Sequence, residues 1–311
     1  MQGTTAESHA DELPAPAGRI RPRLFRRLAV LTGLLLCVLP ARAVDAAEPS
    51  GVRPHTGQTL YVSDYGNDRV VTLPTRGGQS VLALDGLVRP TGLAWDRAGR
   101  LYVADTGNNR VVRLLPDGGG QVTVPTNGLS RPLGLAVDAS GTLYVADSFN
   151  DRVVKVPADG SGQTTVPTTG LLHPWGLALA PGGNLYVSDF VNDRVVKVSA
   201  AGGQTTVPTD GLSQPTGLAL STTGDLYVSD SGNNRVVKIA AATGAQTTVP
   251  FTGLSSPLGL ALDHRGALYV ADAFNNRVLC LRPDGTQAAL NSTGLNTPTG
   301  LAFPSRTDAR E

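Results

Sequence analysis

One phrase of eleven residues occurs six times in this chain, and it constrains the fold more than any other feature. It reads Leu-Tyr-Val-(Ala/Ser)-Asp, two variable positions, then Asn-(Asn/Asp)-Arg-Val, and it begins at Leu60, Leu101, Leu143, Leu185, Leu226 and Leu268. Successive starts are 41, 42, 42, 41 and 42 residues apart. A strand-like period of this length points to a propeller rather than a helical array. A second phrase, Pro-x-Gly-Leu-Ala, also occurs six times, from Pro90, Pro132, Pro174, Pro215, Pro257 and Pro298.

Each unit supplies four short strands. Leu-Tyr-Val-(Ala/Ser) is rich in β-branched and aromatic residues and reads as a strand. Arg-Val-Val-(Lys/Arg)-(Val/Leu) reads as the next, and the Asp-x-x-Asn-x turn between them makes a hairpin. Gln-Thr-Thr-Val-Pro, at Gln163, Gln204 and Gln246, gives a third, with looser copies at Gln79, Gln121 and Gln287. Gly-Leu-Ala-(Val/Leu) gives the innermost. Such a unit cannot bury both its faces alone, so six of them predict an all-β, six-bladed β-propeller of four-stranded blades. The pattern begins at Leu60 with no preceding Gly-Leu-Ala and ends after Gly300-Leu301-Ala302-Phe303. The ring therefore closes through a composite blade, with three strands from the N-terminal end and one from the C-terminal end.

The predicted organisation is a leader over 1–46, a short linker over 47–58, the propeller over 59–303 and a disordered tail over 304–311. In the leader, Arg19, Arg21, Arg23, Arg26 and Arg27 precede an apolar core at 28–39, followed by Pro40 and Ala41-Arg42-Ala43. This is the order of a secretory signal peptide, with cleavage after Ala43 or Ala46. The apolar run is too short for a comfortable membrane span. The chain is thus expected to be exported, either secreted or held at the cell envelope, with no stable membrane insertion after cleavage. A twin-arginine reading of Arg26-Arg27 fits its flanks poorly. A lipoprotein anchor at Cys37 would need a small residue where Leu36 stands. Cleavage leaves Cys280 as the one cysteine, hence no internal disulfide. Its place in the repeat, where other blades have Thr72, Arg113, Lys155, Lys197 and Lys238, predicts a half-exposed thiol.

These phrases resemble NHL repeats, and the resemblance covers essentially all of 60–303. The copies most resemble the extracellular propeller of actinobacterial receptor Ser/Thr protein kinases, where such a domain acts as a sensor. This chain has no Gly-rich loop, His-Arg-Asp or Asp-Phe-Gly, so the resemblance implies a free-standing, sensor-like propeller without a kinase domain. Fold alone does not name a ligand.

Comparing copy with copy separates scaffold from site. The pairs Asp64/Arg69, Asp105/Arg110, Asp147/Arg152, Asp189/Arg194, Asp230/Arg235 and Asp272/Arg277 occur in every blade and read as turn locks. The variable positions sit on two sets of loops that open on one face, here called upper. After the Asp come Tyr65, Thr106, Ser148-Phe149, Phe190-Val191, Ser231 and Ala273-Phe274. Around the Pro come Arg89, Arg131 and Leu133, His173 and Trp175. Aromatic residues gathered there form either a recognition surface or a plug for the channel mouth. Trp175 and Phe190 are the leading contact candidates. Phe149, His173, Arg131, Arg89, Tyr65 and Phe274 complete the candidate binding set. The expected partner is an extracellular protein, a peptide or a cell-envelope glycan, bound by a monomer.

The residues favour binding over catalysis. No Glu lies between Pro49 and Arg310, whereas lactonase-like propellers use a Glu and the streptogramin-lyase type needs Glu and His. His55, His173 and His264 fall in separate places and do not make a zinc cluster. Asp96, Asp138 and Asp263 follow innermost strands and are weak candidates for a structural calcium; as residues before a Gly turn they are ordinary turn formers. No cofactor is expected. The alternative is a lyase or hydrolase with a cation in the central channel. Residues 51–303 hold 18 Lys+Arg and 18 Asp, a neutral balance that argues against nucleic acid.

Overall fold

The computed structural model describes residues 58–74, 78–116 and 120–304. The leader, His55 and Cys37, and the tail beyond 304 lie outside the described residues. Among the described residues, no helix is long and apolar enough to cross a membrane.

Six four-stranded antiparallel sheets form the propeller. Blade 1 holds β1 (Leu60–Asp64), β2 (Arg69–Leu73) and β3 (Ser80–Val81). Blade 2 holds β4 (Pro90–Trp95), β5 (Leu101–Asp105), β6 (Arg110–Leu114) and β7 (Gln121–Thr123). Blade 3 holds β8 (Pro132–Val137), β9 (Leu143–Asp147), β10 (Arg152–Val156) and β11 (Thr164–Thr165). Blade 4 holds β12 (Pro174–Leu179), β13 (Leu185–Asp189), β14 (Arg194–Val198) and β15 (Gln204–Thr206). Blade 5 holds β16 (Pro215–Leu220), β17 (Leu226–Asp230), β18 (Arg235–Ile239) and β19 (Gln246–Thr248). Blade 6 holds β20 (Pro257–Leu262), β21 (Leu268–Asp272), β22 (Arg277–Leu281) and β23 (Gln287–Ala289). The last strand, β24 (Pro298–Ala302), pairs with β1 and completes blade 1 in the order β24-β1-β2-β3. The composite blade expected from the repeat boundaries is therefore present.

Blades stack on both faces, so both faces of the second strand are buried. In β1, Leu60 and Val62 are fully buried, and Ser63 on the other face is too. One apolar cluster fills each seam between neighbouring blades; that between blades 6 and 1 contains Leu60, Val62, Val71, Tyr269, Val278 and Leu301. Each fully buried Leu or Val contributes roughly 1.5–3 kcal/mol. Cys280 belongs to this cluster and is 1% exposed, not half-exposed as its place in the repeat suggested. The reason is side-chain length: each blade sets this position opposite its Tyr, and short Cys280 and Thr72 stay inside whereas the long Arg113, Lys155, Lys197 and Lys238 are only half-buried. Burial pushes its thiol pKa up.

The repeated polar residues pin blades to loops. Arg69, Arg110, Arg152, Arg194, Arg235 and Arg277 each reach the preceding buried Asp at 2.6–2.7 Å. The same carboxylates accept a backbone N–H from the incoming loop, as Asp105 does from Val88 at 2.7 Å. Asn108 and Arg110 also donate to Gly86 O of that loop. The first lock repeats this across the chain ends: Asn67 and Arg69 donate to Gly294 O, and Asn296 N donates to Asp64. A role the sequence reading missed belongs to the Gln of each outer strand. Gln121 brackets Asp85 with one bond to its O and one from its N, and Gln79 does the same to Thr293 across the closure.

At the axis the inner strands nearly touch. A Cβ on Gly92 would lie 2.2 Å from Leu133 O, and one on Gly300 would lie 2.0 Å from Thr91 O. Glycine at this place in every blade lets six strands close around a narrow channel with a cavity of about 70 Å³.

Candidate functional site

The upper face is built by two backbone kinks per blade. The hairpin turn ends in a left-handed residue, such as Asp151 (φ 52°), and the residue before each Pro is also left-handed, such as His173 (φ 51°). Such a conformation costs on the order of 1–3 kcal/mol for a residue with a side chain. Here one kink supports the other across each seam: the His173 N–H donates to Asp151 Oδ1 at 2.8 Å, and Arg131 N–H to Asn109 Oδ1 at 2.8 Å. Asp and Asn tolerate the left-handed region well. The kinks occur in all six blades, so they belong to the scaffold. Their consequence is that Arg89, Arg131, His173, Gln214, Ser256 and Thr297 project from equivalent points around the mouth.

The two positions after each Asp differ in depth. The first lies inside: Thr106, Ser148, Phe190, Ser231 and Ala273 are at most 7% exposed. Thr106 donates to Pro132 O at 2.6 Å and shares a hydrogen bond with Thr91, and Ser231 bonds Thr216 and Pro257 O in the same way. The second lies outside at Phe149 (41%) and Phe274 (53%). Phe190, expected as a contact residue, is 2% exposed. Its ring packs on Trp175 with centroids 5.1 Å apart, so it supports the half-buried Trp175 rather than offering surface. Val191 and Leu133 are buried as well. The mouth is therefore partly plugged and partly exposed, depending on the residue. Small side chains at the first position in four blades were the sequence signal that could have shown this.

Three of the remaining candidates meet at the seam of blades 3 and 4. The Arg131 guanidinium lies 5.0 Å from the Phe149 ring centroid, and Phe149 lies 4.8 Å from the His173 ring. His173 Nδ1 is 3.2 Å from Ser148 O and 3.8 Å from Asp151 Oδ1. Ser148 Oγ is buried without a hydrogen-bond partner among the described residues. Arg89 lies two seams away, where its N–H donates to Asp68 between blades 1 and 2. Tyr65, half-buried, and Phe274 lie in blades 1 and 6, away from this group.

The ring provides its own control. Its two halves repeat at 124–125 residues: Phe149 recurs as Phe274, but Arg89, Arg131, His173 and Trp175 recur as Gln214, Ser256, Thr297 and Thr299. Both halves keep the exposed Phe. Only one sets a guanidinium and an imidazole against it, and that half also carries the Trp175 indole, which packs on Phe190.

The donor set does not fit a channel metal of the Glu-and-His kind. The channel is lined by Gly, Leu and Thr with Trp175, and no group of three His, Cys, Asp or Glu gathers among the described residues. Asp96, Asp138 and Asp263 each cap their own turn, Asp96 through Ala98 N and Arg100 N and Asp263 through Arg265 N and Ala267 N. Burial alone would raise the Asp138 pKa, but hydrogen bonds from Ser140 and Thr142 outweigh it and hold the carboxyl below its ordinary value. His264 Nδ1 is 2.9 Å from Gln58 Oε1.

Residues 89–304 match the sequence profile of the Virginiamycin B lyase family. Among solved structures, the chain is similar to one in the nidogen/laminin complex, with a TM-score of 0.72 and 23% identity, covering 79% of this chain and 98% of that one. It is similar to streptogramin B lyase, with a TM-score of 0.63 and 17% identity, covering 83% and 88%. It is also similar to a catalytically inactive virginiamycin B lyase from Staphylococcus aureus with quinupristin, with a TM-score of 0.60 and 15% identity, covering 82% and 95%. These likenesses are of fold. No curated protein sequence matches.

Proposed function

We propose, for a chain that belongs to the Virginiamycin B lyase family, a non-catalytic role: an exported, monomeric propeller that binds a peptide ligand at the blade 3/4 seam of its upper face. The observation that carries this reading is the asymmetry between halves. A scaffold requirement would appear in both halves, yet Arg131 and His173 flank an exposed Phe in one alone, the half that also carries Trp175. Stacked planar groups with a guanidinium suit aromatic side chains and backbone carbonyls of a peptide. The leader at 1–46 supports export.

Family membership favours a second reading, a lyase. Against it stands the donor set: no Glu in the ring and no His in the channel lining. A relative is catalytically inactive as a His-to-Ala variant, and the one upper-face imidazole among the described residues, His173, leans on Phe149 instead.

One experiment separates the two. The chain has two tryptophans, so Trp95→Phe leaves Trp175 as the sole reporter of the upper mouth. Quinupristin and virginiamycin B are titrated against its emission, with mass spectrometry for cleaved product, and a phage-displayed peptide library is selected on the wild type. The binding reading expects ligands that shift Trp175 emission, stay intact and are lost in Arg131→Ala and Phe149→Ala. Cleaved product with turnover establishes the lyase instead. Peptides that bind both variants as tightly as the wild type, or none that binds at all, overturn the placement.

A further inference from the structure

A second cavity, of about 480 Å³, opens on the lower face beneath the ends of β4, β8 and β12. That volume lies within the roughly 300–1,000 Å³ of small-molecule sites. Trp95, Tyr144, Val137 and Leu179 form its aromatic and aliphatic wall, and Asp138 and Arg97 stand beside them.

The chemistry of this cavity shows when three equivalent blades are compared. Blades 2, 3 and 6 each place an Asp after the innermost strand and a Tyr six residues later. In blade 2 the Tyr102 hydroxyl donates to Asp96 Oδ2 at 3.2 Å, and in blade 6 Tyr269 donates to Asp263 Oδ2 at 3.3 Å. Both tyrosines are buried, at 3% and 0% exposure. In blade 3 the pair is open. Asp138 Oδ1 accepts from Ser140 N, Ser140 Oγ and Thr142 N at 2.6–2.9 Å. Neither Asp138 Oδ2 nor the Tyr144 hydroxyl has a hydrogen-bond partner among the described residues, and Tyr144 is only half-buried. The indole N–H of Trp95 is buried and also lacks an acceptor among them.

We propose that this cavity binds a neutral saccharide of one or two rings. Sugar hydroxyls donate and accept in the same molecule, which is what a free carboxylate oxygen beside a free phenol requires. The C–H face of a sugar ring packs on an aromatic and aliphatic wall such as Trp95 and Leu179. A wholly apolar ligand would desolvate Asp138 Oδ2 without replacing its water. An anion would meet the Asp138 charge, and an organic cation would meet Arg97. The site lies at the opposite end of the channel from Trp175 and does not depend on the peptide-binding reading.

Trp175→Phe leaves Trp95, in the cavity wall, as the sole tryptophan. Glucose, N-acetylglucosamine, maltose and cellobiose are titrated against its emission, with calorimetry on the unsubstituted chain. At least one is expected to give a saturable change. Tyr144→Phe and Asp138→Asn should each weaken it roughly tenfold, the effect of one lost hydrogen bond. Tyr144→Phe should leave the melting temperature unchanged, because its hydroxyl is unbonded in the protein. Tyr102→Phe, from a closed pair, should leave affinity unchanged. The proposal is overturned if none of the four saccharides moves Trp95 emission at millimolar concentration, or if Tyr102→Phe weakens binding as much as Tyr144→Phe.

Discussion

Replacing Asp64 with Asn probes how the ring is held shut. Asp64 is fully buried, and its carboxylate gathers three donors: Asn67 Nδ2 at 2.8 Å, Arg69 Nε at 2.7 Å and Asn296 N at 2.6 Å. Asparagine keeps the volume but offers one oxygen and places an NH₂ against donors. It also leaves Arg69 without its counter-charge. Removing one member of a buried pair costs about 3–5 kcal/mol, but the Arg69 side chain is 29% exposed, so water screens part of the loss and about 3 kcal/mol is the better figure. For a domain of this size each kcal/mol moves Tm by about 2–4 °C, so a fall of roughly 6–12 °C is expected by calorimetry. Asp147→Asn is the matched control. Its local donors are the same, Ser130 N, Asn150 and Arg152, yet it joins segments 17 residues apart where Asp64 joins segments 232 apart. Equilibrium losses should therefore match, while hydrogen exchange in β24 and β1 should accelerate in Asp64→Asn alone. A Tm change under 2 °C in Asp64→Asn, or equal exchange in both variants, would refute the latch reasoning.

Further outcomes follow from the same contacts. Deleting residues 297–311 removes β24 and should abolish the single cooperative melting transition; a sharp transition at the wild-type temperature would contradict closure by the composite blade. Gly176→Ala puts a Cβ 2.2 Å from Thr216 O, a backbone clash, and should cost at least about 3 kcal/mol in urea unfolding. The Cys280 thiol, buried and with a raised pKa, should resist Ellman's reagent in the native protein and react fully in guanidinium. Lys238, bonded to Asp225 at 2.7 Å, holds that carboxyl below its ordinary value. A depressed folded pKa gives stability that is present above the unfolded pKa, 3.8 for Asp, and lost as pH falls through the folded value. The acid limb of stability should therefore be shallower in Lys238→Met, by a small amount because the pair is partly solvated.

Much of this molecule is legible from the chain alone, and the reason is repetition. Six copies of a unit that cannot bury its own faces must stack, and a phrase missing at one end and surplus at the other must pair. Blade count, strand identity and the composite blade follow, as do the Asp–Arg locks, because hydrogen bonds within a hairpin depend on neighbours in sequence. The depth of the variable residues does not follow so directly. Phe149 and Phe190 stand one position apart on the same turn, and one faces solvent while the other fills the space beside Trp175. Cys280 reads as a surface position by its place in the repeat but is too short to leave the seam in which it starts. Tyr144 has the same spacing from an Asp as Tyr102 and Tyr269, yet its pair alone is open. Each of these outcomes is decided by packing between blades, where side chains from segments distant in sequence compete for one space. The sequence by itself determined the ring and how it closes. Only the tertiary structure decided that Phe149, Arg131 and His173 share one exposed seam, and that the free Asp138 and Tyr144 share a cavity at the other end.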